Sequence, residues 1–130
     1  MKEKHFDFVA DSSAIICFCR GDSPVKEMLK DKQFAITFVT MAEISHGALK
    51  ATNKAAWLQV VKSILGQTIF YVSPTTPTIY ANIRLDLERR GVTIPTNDIW
   101  IAALAIEAKL PLLAHDEHFS RVSGLAVIKC

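Results

Sequence analysis

Four acidic residues stand at places along this 130-residue chain where a fold could bring them together. Asp11, Glu43 and Asp116 each follow a short apolar segment, and Asp98 precedes an apolar run of helical character. Carboxylates that meet at a partly buried place repel one another, and their ionised forms need a counter-charge. Mg²⁺ or Mn²⁺ supplies that charge through oxygen ligands and can activate water against a phosphodiester. The four acids therefore predict a divalent-metal site suited to hydrolysis.

Short apolar segments alternate with amphipathic ones, which predicts a buried parallel sheet covered by helices on both faces. The predicted strands are Phe6–Ala10, Phe34–Val39, Thr68–Val72, Leu112–Ala114 and Leu125–Ile128. The predicted helices begin near Ser13 and Pro24, run over Thr40–Leu49 and through Trp57–Leu65, follow Pro74 as far as Arg90, and cover Ile99–Lys109. The expected fold class is α/β, a three-layer α/β/α sandwich with a central, mainly parallel sheet. Ligands of such sheets bind beyond the carboxyl ends of the strands, where three of the acids fall.

Each acid also has a purely structural explanation. Asp11 fits the N-cap of the helix near Ser13, and Glu43 fits a capping box with Thr40. Asp98 lies in a first helical turn, where a negative charge favours the helix dipole, and Asp116 could cap a short turn after it. These roles remain open for each residue taken singly.

The motifs around the acids resemble, in order and spacing, those of PIN-domain ribonucleases, and in particular the VapC-like toxins of type II toxin–antitoxin pairs. The matching segments are Val9–Ser13, Thr37–Gly47, Arg84–Gly91, Asn97–Ala103, Leu113–Phe119 and Phe119–Leu125. No single motif is specific, but the ordered set covers almost the whole chain, and it implies one PIN-like nuclease domain over residues 1–130.

The resemblance implies roles for particular residues. Asp11, Glu43, Asp98 and Asp116 would be the catalytic acids that hold Mg²⁺ or Mn²⁺. Ser13 would support the metal or its water, and Thr40 and Asn97 would orient neighbouring carboxylates. The reaction would be hydrolysis of single-stranded or looped RNA, with Arg84, Arg20, His115 and His118 as candidate RNA contacts.

The resemblance also implies partners. A cognate antitoxin would cover the acidic site, with the apolar Trp57–Leu65 stripe as one possible contact, although core packing explains that stripe as well. A homodimer is expected too. One position departs from the family pattern, because Ala114 stands where a Thr or Ser is frequent, and this puts the details of metal binding near Asp116 in doubt.

Other kinds of protein fit less well. A zinc hydrolase could use His115, Asp116 and His118, but no HExxH motif or nearby cysteine completes the ligand set. A haloacid-dehalogenase-like phosphatase needs an aspartate where Ser13 stands, and neither nucleotide-binding glycine motif occurs. A non-catalytic PIN-like module that binds RNA or protein remains the alternative from another class.

The composition agrees with a folded intracellular protein. Half of the residues are hydrophobic, which disfavours disorder. The formal net charge is only +2, so the chain as a whole is no polycation, and a nucleic-acid binder of this kind must hold its positive charge locally or bind through metal ions. The longest apolar run, Ile99–Ile106, is too short for a membrane span, and no signal-peptide pattern begins the chain. Cys17, Cys19 and Cys130 are odd in number, and we expect reduced, buried thiols in a cytoplasmic protein.

Overall fold

A computed structural model describes residues 5–21 and 23–130 of the chain. The strands are β1 (Phe8–Ala10), β2 (Phe34–Thr37), β3 (Thr68–Phe70), β4 (Leu112–Ala114) and β5 (Val127–Lys129). The helices are α1 (Ser12–Cys19), α2 (Ser23–Leu29), α3 (Phe38–Lys50), α4 (Lys54–Ile64), α5 (Thr76–Arg89) and α6 (Thr96–Ala108), and a 3₁₀ helix spans Glu117–Arg121. For every helix whose start and end were both predicted, each end lies within four residues of its predicted position.

The strands form one sheet in the order β3-β2-β1-β4-β5, and every pair of neighbours is parallel. This confirms the predicted α/β sandwich. The central strands β1 and β4 are buried along their whole length, as expected for strands covered on both faces. Because β1 lies between β2 and β4, the segments that follow these three strands meet at the carboxyl edge of the sheet.

Alternate side chains of the central strands enter different cores. Val9 packs in a cluster with residues of α5 and α6, whereas Phe8 and Ala10 pack in a second cluster with residues of α1, α2, α3 and α4. In β4, Leu113 shares the second cluster while Leu112 shares the first. This period of two places one helical layer on each face and explains why the short strands are continuously apolar.

Two predicted boundaries around β2 are wrong for the same reason. The strand ends at Thr37 rather than Val39, and α3 begins at Phe38 rather than Thr40. The Thr37 hydroxyl accepts a hydrogen bond from the Thr40 N–H at 3.2 Å, so Thr37 is the N-cap. The apolar run through Val39 looked like strand, but it forms the first turn of α3.

Several other ends differ by a few residues. The predicted β1 starts too early, at Phe6, and the predicted β3 ends too late, at Val72. The predicted β5 starts two residues too early. The helix predicted over Ile99–Lys109 already begins at Thr96, and its N-cap residue is Pro95, with no side-chain cap bond. Thr96, Asn97 and Asp98 therefore lie inside the first turn, which agrees with the first-turn position expected for Asp98.

Cys17, Cys19 and Cys130 form no disulfide within the part of the chain that the structure describes, and all three are half-buried, so the full burial expected of these thiols is wrong. The predicted apolar stripe on α4 divides in two. Val60 and Ile64 are buried and Trp57 and Val61 are half-buried, whereas Leu65 is exposed. Within the described residues, none of the helices is both long and apolar enough to span a membrane.

Close contact between α3 and α4 depends on Gly47. A methyl group added there would overlap the indole of Trp57, whose Cζ2 atom lies 2.8 Å from the methyl position. We expect Gly47→Ala to lower the free energy of unfolding by about 1–3 kcal/mol, because overpacking forces neighbouring groups apart. Urea unfolding measures the change. Ser45→Ala, at an exposed position of the same helix, serves as the control, and equal stability of Gly47→Ala and the wild type would contradict this account of the helix contact.

Candidate active site

The first acid, Asp11, lies at the junction of β1 and α1 and is only 3% exposed. Its carboxylate Oδ2 accepts hydrogen bonds from the Ser13 hydroxyl at 2.7 Å and from the Ser13 N–H at 3.3 Å. Asp11 is thus the N-cap of α1, as the structural explanation predicted, while its carboxylate still lies at the sheet edge. Burial raises the pKa of Asp11, the Ser13 hydrogen bonds oppose that rise, and the charge of Asp98 adds to it.

The second acid, Glu43, lies on α3 and is half-buried. Its Oε1 accepts a hydrogen bond from the Ser12 hydroxyl at 3.3 Å. Burial, and after it the negative charge of Asp11, raises the pKa of Glu43 to about 7, with further contributions from Asp98 and Asp116. Glu43 is not part of a capping box with Thr40, because α3 begins before Thr40 and its cap is Thr37.

The third acid, Asp98, lies in the first turn of α6 and is largely buried. Its Oδ2 is 3.1 Å from Nδ1 of His118, which follows β4 in the 3₁₀ helix. Burial raises the pKa of Asp98, and the charge of Asp116 raises it further, whereas the contact with His118 lowers it.

The fourth acid, Asp116, is exposed and immediately precedes the 3₁₀ helix. It occupies the N-cap position, but its side chain makes no cap hydrogen bond, so the purely structural explanation fails for it. Its charge acts on both Glu43 and Asp98. The structure therefore brings all four predicted acids within electrostatic reach of one another at one edge of the sheet.

The site has little positive charge of its own. Of the ion pairs found within residues 5–21 and 23–130, none joins these four acids to a lysine or arginine, and only His118 contacts one of them. Carboxylates that are close, buried and unpaired with a cation favour protonation or the binding of a cation. The electrostatics of the site therefore suit a positively charged ligand.

The donor atoms suit a hard divalent cation, although the side chains are not arranged as a finished ligand cage. Within the part of the chain that the structure describes, no three His, Cys, Asp or Glu side chains form a group that could hold a metal ion as they stand. Mg²⁺ is commonly bound through one or two carboxylates and keeps several waters, so the oxygen donors fit it without a complete protein cage.

The two histidines near Asp116 are held by different partners. Nδ1 of His115 is 2.8 Å from the backbone oxygen of Cys130, while Nδ1 of His118 contacts Asp98. The backbone N–H of His115 also donates a hydrogen bond to the Ser13 hydroxyl at 3.0 Å. The two rings are thus engaged separately, and the three-residue zinc cluster considered from the sequence is not assembled among the described residues.

The two predicted supporting residues besides Ser13 lie on α3 and in the first turn of α6. The Thr40 side chain is fully buried and accepts a hydrogen bond from the Thr37 hydroxyl at 3.4 Å. Asn97 is exposed in the first turn of α6. The hydrogen bonds of the described residues connect neither side chain to a carboxylate, so their predicted orienting roles stay predictions.

The two arginines predicted to contact RNA differ in position. Arg84, on α5, donates hydrogen bonds to Glu88 and to the hydroxyl of Tyr80, and it lines a small cavity beside Thr96 at the start of α6. Arg20 is the C-cap of α1, about 12 Å along that eight-residue helix from its N-terminal end beside Asp11. Arg84 is therefore the arginine that lies near an element of the acidic site.

Sequence reasoning missed the residue that contacts Glu43. Ser12 is adjacent to Asp11, but of the two serines only Ser13 was expected to have a role. The signal for Ser12 was its place in the first turn of α1. Which acid each serine reaches depends on how α1 faces α3, and the sequence does not show that.

The fold and this edge define the chain as a parallel α/β protein with a cluster of four interacting acids at the carboxyl end of its sheet. The family model for the PIN domain matches residues 8–125. The chain belongs to the PIN-domain family, which confirms the expectation from the sequence motifs.

Named relatives align along most of the chain. It is 29% identical over 124 residues to Ribonuclease VapC5 of Mycobacterium tuberculosis, covering 93% of this chain and 91% of the relative. It is 31% identical over 127 residues to Ribonuclease VapC1 of Rickettsia felis, covering 92% and 93%.

Solved structures show the same fold. A VapBC-5 structure from Mycobacterium tuberculosis, a member of the VapBC family of toxin–antitoxin systems, matches with a TM-score of 0.81 and 26% identity, over 95% of this chain and 98% of that one. VapBC2 from Rickettsia felis, bound to a promoter DNA fragment, matches with a TM-score of 0.83 and 22% identity, over the same shares.

The raised pKa values predict how stability depends on pH. An acid whose pKa is higher in the folded than in the unfolded state binds its proton more tightly when folded, so stability rises as pH falls through the folded value. We expect the metal-free protein to have a larger free energy of unfolding at pH 6 than at pH 8, and Glu43→Gln to reduce that difference. Urea unfolding in chelator measures it, with Glu27→Gln, an exposed acid of α2, as the control. An undiminished difference in Glu43→Gln would contradict the assignment of the effect to this site.

Proposed function

We propose that this chain is a divalent-metal-dependent endoribonuclease that hydrolyses phosphodiester bonds of RNA. The observation that carries the proposal is the electrostatic state of the acidic edge. Asp11, Glu43 and Asp98 all have raised pKa values because they are buried and repel other acids, and no lysine or arginine of the described residues pairs with them. A bound Mg²⁺ or Mn²⁺ would relieve this repulsion.

The proposed roles of the acids follow from their positions. Asp11, Glu43, Asp98 and Asp116 hold the cation, which supplies polarisation of the phosphate and activation of the attacking water when bound. Hydrolysis would form a bond between the oxygen of water and phosphorus and break one phosphorus–oxygen bond of the RNA backbone, and the proton lost by the water would balance the one gained by the leaving oxygen. Ser13 keeps the Asp11 carboxylate in place through its hydroxyl and backbone hydrogen bonds.

RNA as the substrate is supported by the relatives, which are named ribonucleases and align over more than nine-tenths of the chain. Single-stranded or looped RNA leaves its backbone accessible to an acidic edge that a duplex would not easily reach. Arg84 is the favoured phosphate contact, because it lines the cavity beside Thr96 at the start of α6. His115 and His118 flank Asp116 and are further candidates, whereas Arg20 lies at the far end of α1.

The alternative is a non-catalytic PIN-like module that binds RNA or protein. Such a module has no need for four interacting carboxylates at the sheet edge, because their mutual repulsion destabilises the fold unless a cation offsets it. Retention of all four acids, three of them with raised pKa values, favours the enzyme.

Cleavage assays separate the two functions. We expect the wild type to cleave single-stranded RNA with Mg²⁺ or Mn²⁺ and not with chelator, and Asp11→Asn and Asp98→Asn to reduce cleavage by at least about 100-fold. Asp86→Asn removes an exposed carboxylate of α5 that pairs with Arg90, and it should retain activity. Far-UV circular dichroism establishes that the variants fold. Cleavage that survives both chelator and substitution would contradict the proposal, and binding of RNA without cleavage would favour the module.

An antitoxin partner is part of the same proposal, with the chain acting as the toxin of a pair in the cytoplasm. The VapBC-5 structure that matches over 95% of this chain belongs to a toxin–antitoxin family. An apolar cavity of about 480 Å³ lies between α1, α2 and α4, lined in part by Ile15, Phe18 and Phe34. Leu65 of the predicted stripe, at the C-cap of α4, and Leu58 on the same helix add exposed apolar surface that an antitoxin could cover.

A homodimer is proposed on the same family grounds. Exposed apolar side chains outside the α4 stripe, such as Tyr71 at 67% exposure and Val72 at 43%, are available for a contact between copies. Analytical ultracentrifugation at micromolar concentration should give twice the mass of the 14.4 kDa chain. A monomer under these conditions would contradict the dimer without affecting the proposed chemistry.

A further inference from the structure

Two adjacent serines at the start of α1 contact two different acids. Ser13 donates its hydroxyl to Asp11, the residue at the end of β1. Ser12 donates its hydroxyl to Glu43, which is 31 positions away on α3. Successive residues of a helix point about 100° apart, so neighbouring hydroxyls can reach carboxylates on opposite sides of one helix start.

The Ser13 hydroxyl also connects the site to the third element at this edge. It accepts a hydrogen bond from the His115 N–H, 102 positions away in the segment that carries Asp116. The first turn of α1 therefore contacts Asp11 through Ser13 and Glu43 through Ser12. The serine pair thus hydrogen-bonds two of the four acids, and Ser13 also bonds the backbone of the residue next to a third, Asp116.

In the described part of the chain, the Glu43 side chain is held by a single hydrogen bond, from Ser12, whereas that of Asp11 is held by two hydrogen bonds and by nearly complete burial. Asp11 is nearly fully buried and is held by two hydrogen bonds from Ser13. Glu43 is half-buried on a longer side chain, and Ser12 is the one side chain of the described residues seen to donate a hydrogen bond to it. The negative charge of Asp11 repels the Glu43 carboxylate. Without the Ser12 hydroxyl, rotation of Glu43 toward solvent would relieve that repulsion.

We propose that Ser12 is a positioning residue that holds the Glu43 carboxylate beside Asp11, so that both can bind one divalent cation. This inference rests on the proposed metal-dependent function, but it concerns the apposition of two side chains that the structure shows. Ser12 itself touches neither substrate nor metal in this role. Its hydroxyl acts through the orientation of Glu43, as hydrogen-bond partners of ligating carboxylates generally do.

Mn²⁺ binding in the absence of RNA tests the role directly. Electron paramagnetic resonance of free Mn²⁺ gives the affinity, and steady-state cleavage gives kcat and KM separately. We expect Ser12→Ala to weaken Mn²⁺ binding about 10- to 100-fold and to lower kcat at limiting Mn²⁺, with KM for RNA unchanged at saturating Mn²⁺. Ser12→Thr, which keeps a hydroxyl, should bind Mn²⁺ within about 3-fold of the wild type. Ser12→Val has the shape of the threonine variant without its hydroxyl, and it should resemble Ser12→Ala.

The control is Ser45→Ala. This change removes a serine hydroxyl from α3, the helix of Glu43, and that hydroxyl donates to the Met41 carbonyl of the same helix. It should leave Mn²⁺ affinity and kcat unchanged. If Ser12→Ala fails to fold by circular dichroism, the comparison of Ser12→Thr with Ser12→Val decides the matter. Wild-type Mn²⁺ affinity in both Ser12→Ala and Ser12→Val, beside a wild type that binds Mn²⁺ and cleaves RNA, would overturn the role of Ser12 alone. A wild type that neither binds Mn²⁺ nor cleaves would overturn the proposed function and this inference with it.

Discussion

Mutual repulsion of carboxylates at the carboxyl edge of the sheet is the constraint on which the arrangement of this molecule turns. Asp11 and Asp98 are buried and Glu43 is half-buried, and each feels the charge of at least one other acid. Removing a charge from water is unfavourable, and placing like charges together adds to that cost. A fold that keeps such a cluster needs hydrogen-bond donors around it, and protons or a cation to offset the remaining charge.

The surrounding structure supplies the donors from elements that also build the fold. Asp11 caps α1 with the same carboxylate oxygen that accepts the Ser13 hydroxyl, so one contact serves both helix and site. His118 contacts Asp98 from the 3₁₀ helix that follows β4. A structural role and the proposed metal-binding role are therefore compatible, and Asp11, which caps α1 at the sheet edge, shows how one residue can serve both. Asp116 is the exception, because its side chain makes no cap bond and its charge acts on the other acids instead.

Much of the fold followed from the sequence because its signals are local. Buried strands are short apolar runs, and the helices carry periodic apolar positions, so the element order and the parallel sheet could be predicted. The errors fall where two local signals compete. Phe38 and Val39 have strand-like side chains, yet Thr37 caps a helix that includes them. Asp98 is of a residue type common at helix N-caps, and the predicted helix began after it, yet α6 begins at Thr96.

The sequence by itself determined the class of the fold and the family, and it singled out the four acids as candidates, because apolar periodicity and short motifs are properties of neighbouring residues. Only the tertiary structure decided which group stands beside each acid. Ser12 reaches Glu43 across 31 positions, His118 reaches Asp98 across 20, and the His115 N–H reaches Ser13 across 102. These contacts depend on the strand order β3-β2-β1-β4-β5 and on the rotation of each helix about its own axis. The spacing of residues along one segment shows neither the strand order nor the rotation of a helix. For that reason Ser12 was overlooked, while Thr40 and Asn97 were favoured.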